Sequence, residues 1–298
     1  MSSQFHRYDY SPISDRKPLL FPEGKRVALL VYLNVQHFPA DRPETVHAIV
    51  PATANFQPDV LNTTWRDYGM RIGVWRLFDV LDRHGIRASA LLNREVCHEY
   101  PSVIEAGNAR RWEWLASSHH GSSYLNGLSE SEEATVVKEV LDGIETGSGS
   151  RPKGWLTPCF SESFNTPDVL AASGIEYLCD YTCDDQPFPL KVQSGSLLSI
   201  PYSLELNDIA AFLAIGVSGE AFGSMIKDQF DILYREGASN GRVLPICLHT
   251  FLMGQGFRAK HLEDALGYIM QHEGVWTPTA GELNDWYRRI AFGASLGA

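Results

Sequence analysis

The chain has 298 residues, of which 44% are hydrophobic and 20% are charged, so its composition is that of an ordinary globular protein. Its formal net charge of −11 at pH 7 disfavours anionic partners, and we expect neither a nucleic-acid nor a membrane partner. The first residues lack the apolar segment of a signal peptide, and the five cysteines form no CxxC pair. These features predict a cytoplasmic protein with reduced thiols.

Strands and helices alternate along the sequence, starting with residues 26–33 (RVALLVYL), whose continuous apolar run is typical of a strand buried on both faces. Residues 69–84 place apolar side chains at helical spacing, and Gly85 favours a helix end after them. Ser129 begins a later helix, since Glu132 completes a capping box. The other predicted strands are 86–92, 112–116, 153–156, 175–178 and 243–248, and the other helices begin at Pro101, Pro167, Glu220, Lys260 and Ala280.

About seven such strand–helix units predict a parallel α/β sheet, and their number favours a sheet closed into a barrel. We expect a single domain over residues 1–298, with an N-terminal arm over 1–25. Residues 38–64 have no clear period, which predicts a long loop that covers the site or contacts another subunit. In such a barrel the functional side chains follow the C-terminal ends of the strands.

Polar side chains cluster in five segments that we place at the C-terminal ends of strands. They are Asn34 with Gln36, Ser117 with His119 and His120, Asp184 with Asp185, Glu205 with Asn207 and Asp208, and finally His249. Each group also has a structural explanation, because Asp and Pro form turns, polar residues cap helices, and a single buried His is often a core residue. Their convergence on one barrel mouth would supply groups that activate water and protonate a leaving nitrogen.

The sequence disfavours several other common sites. It has no GxGxxG after a strand, no phosphate-binding loop and no GxSxG motif, which argues against dinucleotide, nucleotide and serine-hydrolase sites. The adjacent His119 and His120 form a weak metal pair, because neighbouring residues of a strand point to opposite faces.

Six stretches resemble the polysaccharide deacetylase superfamily, in particular its branch of allantoinase-like and cyclic-imide hydrolases. They are RVALLVYLNVQHF, WRDYGMRIGVWRLFDVLDRHGIRASALLN, RPKGWLTPCFSESFNTPDVLAASGIEYLCDY, DDQPF, PYSLELNDI and LHTFLMGQGFR. The resemblance runs from about Phe21 to Trp286, and the combination of DDQPF, ELND and the late LH is specific. It implies a distorted (β/α)7 TIM-like barrel, hydrolysis of amide or imide bonds, and a homo-oligomer, often a tetramer in this branch.

The family's functional positions carry over unevenly. Where the family has acidic residues after the first strand, this chain has Asn34 and Gln36, which cannot act as general bases at neutral pH. At the third strand an ungapped alignment puts Ser117 in the position of the family's His and Gly121 in the second ligand position, whereas a short gap would bring His120 into that role. We therefore predict no metal or other cofactor; if Zn²⁺ does bind, His120 and His249 are its expected ligands.

Residues and resemblance together predict a hydrolase that opens a non-peptide carbon–nitrogen bond of a small, cyclic amide, imide or ureide. His249 is the predicted proton shuttle, Asp184 or Asp185 orients it or the water, and Glu205 is a further catalytic carboxylate. The predicted substrate-binding residues are Asn34 and Gln36 for the amide edge, Arg66, Tyr68 and Arg71 for carbonyl oxygens, and Ser117, His120, Phe160 and Asn207.

Three other functions stay open at this point. The first is a de-N-acetylase of a sugar polymer, which would need a metal and an open groove. The second is a catalytically inactive family member that binds a ligand without turnover or serves as an assembly subunit. The third is an enzyme of the same barrel that hydrolyses a lactone or a carbon–carbon bond.

Overall fold

The computed structural model describes residues 7–42 and 48–293, and strands and helices alternate in them as the sequence predicts. The strands are β1 (Val27–Val35), β2 (Ser89–Leu92), β3 (Glu113–Ala116), β4 (Gly154–Trp155), β5 (Tyr177–Leu178), β6 (Phe188–Leu190), β7 (Leu197–Ser199), β8 (Arg242–His249) and β9 (Val275–Trp276). The helices are α1 (Val60–Tyr68), α2 (Val74–Arg83), α3 (Val96–Glu99), α4 (Pro101–Ala109), α5 (Glu130–Ser148), α6 (Thr166–Ala172), α7 (Gly219–Glu236), α8 (Gly256–Met270) and α9 (Ala280–Ala291). No helix within the described ranges is long and apolar enough to cross a membrane.

Seven of these strands form one parallel sheet in the order β7-β5-β4-β3-β2-β1-β8. β6 pairs antiparallel with β7 at one edge, and β9 adds a two-residue pairing to the start of β1. The two ends of the sheet meet at a single bridge between Asn207, which follows β7, and Cys247 of β8. The sheet is thus curled into an incompletely closed α/β barrel, which confirms the predicted fold class.

Strand β1 shows how the sequence divides the core into two parts. Val27, Leu29 and Val31 belong to the larger cluster that packs between the sheet and its helices. Ala28 and Leu30 belong to a second cluster, which fills the inside of the barrel with side chains from the other strands. Because side chains alternate along a strand, the even-numbered positions of β1 and its extension all face inward.

The N-terminal end of the barrel is plugged by helix α9. Ala280 and Leu283 of this helix pack into the inner cluster. The Glu113 carboxylate beneath them accepts hydrogen bonds from the Gly281 backbone at 2.8 Å and from the Tyr177 hydroxyl at 2.5 Å. Since this end is filled, the C-terminal ends of the strands form the mouth where a ligand can enter.

Helix α1 begins inside the segment that has no clear period in the sequence and extends past the end of that segment. The Asp59 carboxylate caps it by accepting from the Asn62 backbone N–H at 3.1 Å. Val60 and Leu61 in its first turn are 62% and 46% exposed, so the apolar period of a buried helix is missing there. The helix continues through a wider π-type turn, Gly69–Gly73, into α2. The predicted helix at 69–84 therefore begins nine residues earlier, and residues 43–47 of the predicted loop lie outside the described residues.

Candidate functional site

The inner face of the barrel carries a set of buried polar side chains at its mouth. Asn34 on β1 pairs in register with His249 at the end of β8. Gln36 follows Asn34 on the same inward face, and Ser117 comes directly after β3. Their exposed fractions are between 2% and 8%, so all four side chains are buried at this end of the barrel.

His249 is held by Asp208, a carboxylate that is completely buried. The Nδ1 atom of the imidazole lies 2.7 Å from Oδ1 of Asp208, and the His249 backbone N–H donates to Oδ2 at 2.8 Å. Two bonds to one carboxylate fix both the ring plane and the tautomer that carries the proton on Nδ1. The Nε2 atom lies on the opposite side of the ring.

The structure corrects the predicted partner of this histidine. Both Asp184 oxygens bind the Arg16 guanidinium of the N-terminal arm, at 2.8 and 2.6 Å, and Oδ1 also accepts from the Gln186 backbone as in an Asx turn. The Asp185 carbonyl accepts from Val243, at the start of β8. That point is six residues below His249, or about 20 Å at the rise of a strand. The DDQPF motif is therefore a turn that anchors the arm near the other end of the barrel.

Glu205 is also separated from the inner set. Its side chain is exposed, and it lines a cavity of about 1660 Å³ between the N-terminal arm and helix α7. Asp184 and Asp185 line the same cavity. The three carboxylates that the sequence assigned to catalysis thus share a surface, but that surface does not include His249.

Two amides brace the mouth through the hydroxyl of Tyr202. Asn34 Nδ2 donates to this oxygen at 3.3 Å and to the Leu248 carbonyl at 3.0 Å. Asn207 Nδ2 donates to the same hydroxyl at 3.4 Å, and its Oδ1 accepts from the Ile209 backbone. Burial raises the pKa of Tyr202 well above its usual value, so the phenol keeps its proton. The sequence predicts that Asn34 and Asn207 bind a ligand. In the structure their amides form hydrogen bonds with other groups of the protein instead.

Gln36 behaves differently from these amides. It is 8% exposed, and its Oε1 is buried without a hydrogen-bond partner among the described residues. A buried carbonyl oxygen of this kind is costly unless another group pairs with it. Gln36 is therefore the inner amide best placed to meet a ligand.

His119 and His120 diverge, as the sequence predicts, although both follow the end of β3. His119 Nε2 lies 3.4 Å from the Glu139 carboxylate on helix α5. His120 is 5% exposed and has Nε2 at 2.5 Å from the Arg42 guanidinium. Burial, together with the positive charge of Arg42, lowers the pKa of His120. His120 therefore lines the mouth as a neutral imidazole at pH 7.

The predicted carbonyl-binding residues on α1 and the following turn separate from one another. Arg66 is buried, with its guanidinium 4.7 Å above the Phe38 ring, and Phe38 in turn packs edge-on against Phe251 next to His249. The Tyr68 hydroxyl instead accepts from Arg76 at 2.9 Å, and Arg71 is exposed. Of the three, only Arg66 belongs to the wall of the mouth.

Phe160 lines the mouth next to Tyr202, at 5.8 Å between ring centroids. It has a positive φ of 54°, an unusual value for a residue with a side chain. The backbone turn that follows β4 therefore holds this ring in its position.

A metal site of the deacetylase type is not assembled by the described side chains. They contain no group of three or more His, Cys, Asp or Glu that could hold a metal ion. Asn34 and Gln36 replace the acidic residues after the first strand, and His120 faces a guanidinium, which disfavours a second cation. These donors do not fit Zn²⁺.

Asp208 is the main residue that the sequence did not assign to catalysis. It stands between the predicted binding residue Asn207 and the turn Ala210–Ile215, and the bridge from Asn207 to Cys247 brings it beside the end of β8. The sequence feature that pointed to Asp208 was the ELND motif, which precedes the strand that ends at His249.

No family model matches the chain. Among curated proteins, a Schizosaccharomyces pombe protein named as a polysaccharide deacetylase is 28% identical over 236 residues, which cover 73% of each chain. A peptidoglycan deacetylase of Helicobacter pylori is 24% identical over 200 residues, 56% of this chain and 68% of that protein.

Two solved structures match almost the whole chain. A Pseudomonas aeruginosa PAO1 protein named as a polysaccharide deacetylase has a TM-score of 0.84 with 26% identity, over 95% of this chain and 99% of that one. A PuuE allantoinase has a TM-score of 0.82 with 23% identity, over 97% and 100%. The allantoinase match concerns the fold alone, whereas the others extend to the sequence.

Proposed function

We propose that the chain is a member of the polysaccharide deacetylase superfamily, as its similarity to two curated deacetylases and one solved structure supports, and that it opens a carbon–nitrogen bond of a small cyclic amide, imide or ureide. Deacetylases and allantoinase hydrolyse carbon–nitrogen bonds other than peptide bonds, which agrees with the enzyme class predicted from the sequence. Two observations support the narrower proposal. His249 and Asp208 form a dyad suited to proton transfer, and the buried Oε1 of Gln36 has no hydrogen-bond partner among the described residues.

In the proposed reaction His249 acts first as a base and then as an acid. Nε2 removes a proton from a water molecule while the water oxygen attacks the substrate carbonyl carbon, and the carbonyl electron pair moves to oxygen. The resulting imidazolium is stabilised by Asp208, which binds its Nδ1–H. When the carbon–nitrogen bond breaks, Nε2 returns the proton to the leaving nitrogen. The ring opens to a carboxylic acid and an amine or amide.

The oxyanion needs donors that are present before the reaction begins. We assign this role to the Tyr202 hydroxyl, which burial keeps protonated, and to the Arg66 guanidinium in the wall of the mouth. His120 adds a neutral imidazole, and Phe160 supplies an apolar surface against a ring-shaped ligand.

A second candidate function is removal of an N-acetyl group from a sugar. The names of the two curated relatives favour it. The amides after the first strand favour the cyclic substrate, because the described donors do not provide the ligands that a sugar deacetylase of this superfamily uses for its metal.

The test is an assay of the purified protein on hydantoin, allantoin, succinimide, glutarimide and N-acetylated chito-oligosaccharides, with His249→Ala as the control. We expect ring opening that His249→Ala abolishes, no release of acetate, and full activity after exhaustive chelation. Acetate release from the sugars without ring opening would support the second candidate. Ligand binding without turnover of any compound would identify an inactive family member.

We also propose that the protein works in the cytoplasm, as its sequence predicts. None of its five cysteines forms a disulfide in the described part of the chain, in agreement with a reducing compartment. Fractionation of the source cells, with the protein detected by antibody, tests this location.

A further inference from the structure

We propose that Gln36 selects ligands whose amide presents its N–H and its C=O on the same edge, as cyclic amides and imides do. This inference rests on the proposed function and names the feature of the substrate that the mouth recognises. It separates such ligands from acyclic secondary amides, including the N-acetyl group of a sugar.

The position of Gln36 makes it available to a ligand. It lies two residues after Asn34 and one residue past the end of β1, and we infer from the alternation of side chains along an extended chain that it faces the inside of the barrel. Its side chain is more than nine-tenths buried, and Oε1 makes no hydrogen bond within the described residues. A buried amide that the protein leaves unpaired is costly, and a ligand that pairs with it recovers that cost on binding.

Asn34, unlike Gln36, has an amide that is hydrogen-bonded to the protein. Its Nδ2 donates to both the Tyr202 hydroxyl and the Leu248 carbonyl, so this amide holds the mouth in shape. Gln36 lies two residues further along the chain, towards the opening of the barrel. Its side chain is one carbon longer than that of Asn34. The two amides therefore have different tasks, and recognition falls to Gln36.

The chemistry of a carboxamide defines what it can recognise. Oε1 accepts one hydrogen bond while Nε2 donates another in the same plane, so the group pairs with a ligand that offers a donor and an acceptor side by side. In an acyclic secondary amide the N–H and C=O point in opposite directions, because the trans form is strongly preferred. A five- or six-membered ring forces them onto one edge, and two bonds then form together.

The experiment compares succinimide and glutarimide with their N-methyl derivatives, which keep the ring and lose only the donor. Affinity is measured by calorimetry in the His249→Ala background, so that binding is read without turnover. We expect the N–H compounds to bind at least about tenfold more tightly, the usual effect of one well-paired hydrogen bond. In Gln36→Met this preference should fall to less than about threefold.

Two controls separate recognition from damage to the fold. Gln271→Met replaces an exposed glutamine at the end of α8 and should leave the preference unchanged. Gln36→Met should keep or raise the melting temperature, since it removes a buried oxygen that has no partner in the described structure. A variant that merely disturbed packing would lower it.

The outcomes distinguish this inference from the proposed function. If the wild type opens no ring but the N–H preference depends on Gln36, the reaction is wrong and the recognition stands. If rings are opened and Gln36→Met keeps the full preference, the inference is overturned while the reaction stands. Failure of both N–H probes to bind would also overturn it.

Discussion

At the scale of single residues, the proposed chemistry depends on the pair of His249 and the buried carboxylate of Asp208, whose Oδ1 lies 2.7 Å from the imidazole Nδ1. His249 ends a continuous apolar strand, and that position alone marks the mouth of a parallel barrel. Asp208 stands 41 residues earlier and reaches His249 only because the chain after β7 bridges to β8. The more conspicuous pair, Asp184 and Asp185, forms a turn and an ion pair instead. The more recognisable sequence motif therefore does not contain the carboxylate that lies next to His249.

The His249–Asp208 pair gives the first prediction. His249→Ala and Asp208→Asn should each lower kcat by roughly 10²-fold or more, the usual scale for proton transfer. His249→Ala removes the group that transfers the proton. Asp208→Asn removes the carboxylate that keeps the proton of the imidazole on Nδ1. Asp184→Asn is the matched control; it should lower the melting temperature by loosening Arg16 and leave kcat within about twofold. Steady-state kinetics and thermal melts measure both effects. An Asp184→Asn enzyme as impaired as Asp208→Asn would contradict the assignment.

A second residue-scale feature is a half-buried pair of carboxyl groups, Glu162 and Asp180, which line one cavity together with Phe160. The Tyr181 hydroxyl donates to one Glu162 oxygen, and the Thr157 backbone donates to one Asp180 oxygen. The remaining oxygen of each carboxyl is buried without a partner among the described residues. Burial and the neighbouring Asp180 raise the pKa of Glu162 to about 10, and burial raises that of Asp180 to about 6.

This pair predicts how stability depends on pH. A carboxyl group whose pKa is raised in the folded state holds its proton there after the unfolded chain has lost it, so stability falls as pH rises from about 4.5 towards 10. Glu162→Gln removes this titration at nearly constant shape. We expect the variant to gain melting temperature relative to wild type at pH 9 and to lose that gain at pH 4. A difference that is the same at every pH would contradict the raised pKa of Glu162.

At the scale of elements, the sequence best predicts the strands and helices that carry a recognisable pattern within their own residues. The continuous apolar run of β1 and the capping box of α5, in which Ser129 and Glu132 bond reciprocally, are both confirmed. The two-residue strands β4 and β5 lie inside the predicted ranges 153–156 and 175–178 and are shorter than those ranges. The antiparallel pair β6 and β7 is not predicted from the sequence, because each strand has only three residues and no apolar period.

The contact between α2 and the loop after β8 gives a prediction at this scale. A Cβ atom at Gly73 would lie 2.0 Å from the Thr250 carbonyl oxygen and 3.3 Å from Gly254 Cα. Gly73→Ala should therefore displace the segment that follows His249, lower stability by about 1–3 kcal/mol and reduce kcat. Denaturant unfolding and steady-state kinetics measure the two changes.

Gly267→Ala on α8 is the control for this substitution. Its Cβ would meet His84 at 3.4 Å, an ordinary contact, and alanine favours the interior of a helix. We expect unchanged activity and a stability that is equal or higher by about 0.5–1 kcal/mol. Equal effects of the two substitutions would show that the close approach at Gly73 does not position the dyad.

At the scale of the whole molecule, the distribution of charge and apolar surface bears on assembly. The net charge of −11 opposes self-association through polar surfaces, so contacts between copies should use apolar ones. Large exposed apolar side chains recur in the segment that leads into and begins α1: Ile49, Val50, Phe56, Val60 and Leu61. This segment overlaps the stretch in which the sequence predicts a loop over the site or a subunit contact, and an apolar cluster of this kind marks an interaction surface.

We therefore predict a homo-oligomer in solution that this segment holds together. Sedimentation velocity should give a mass that is a multiple of the 33.2 kDa chain. The double variant Val60→Glu, Leu61→Glu should dissociate it, because both side chains are exposed in the single chain and a carboxylate would have to be buried in the contact. Met270→Glu, at an exposed position on α8, should leave the mass unchanged. A strictly monomeric wild type would contradict the assembly, and a double variant that keeps the wild-type mass would move the contact elsewhere on the surface.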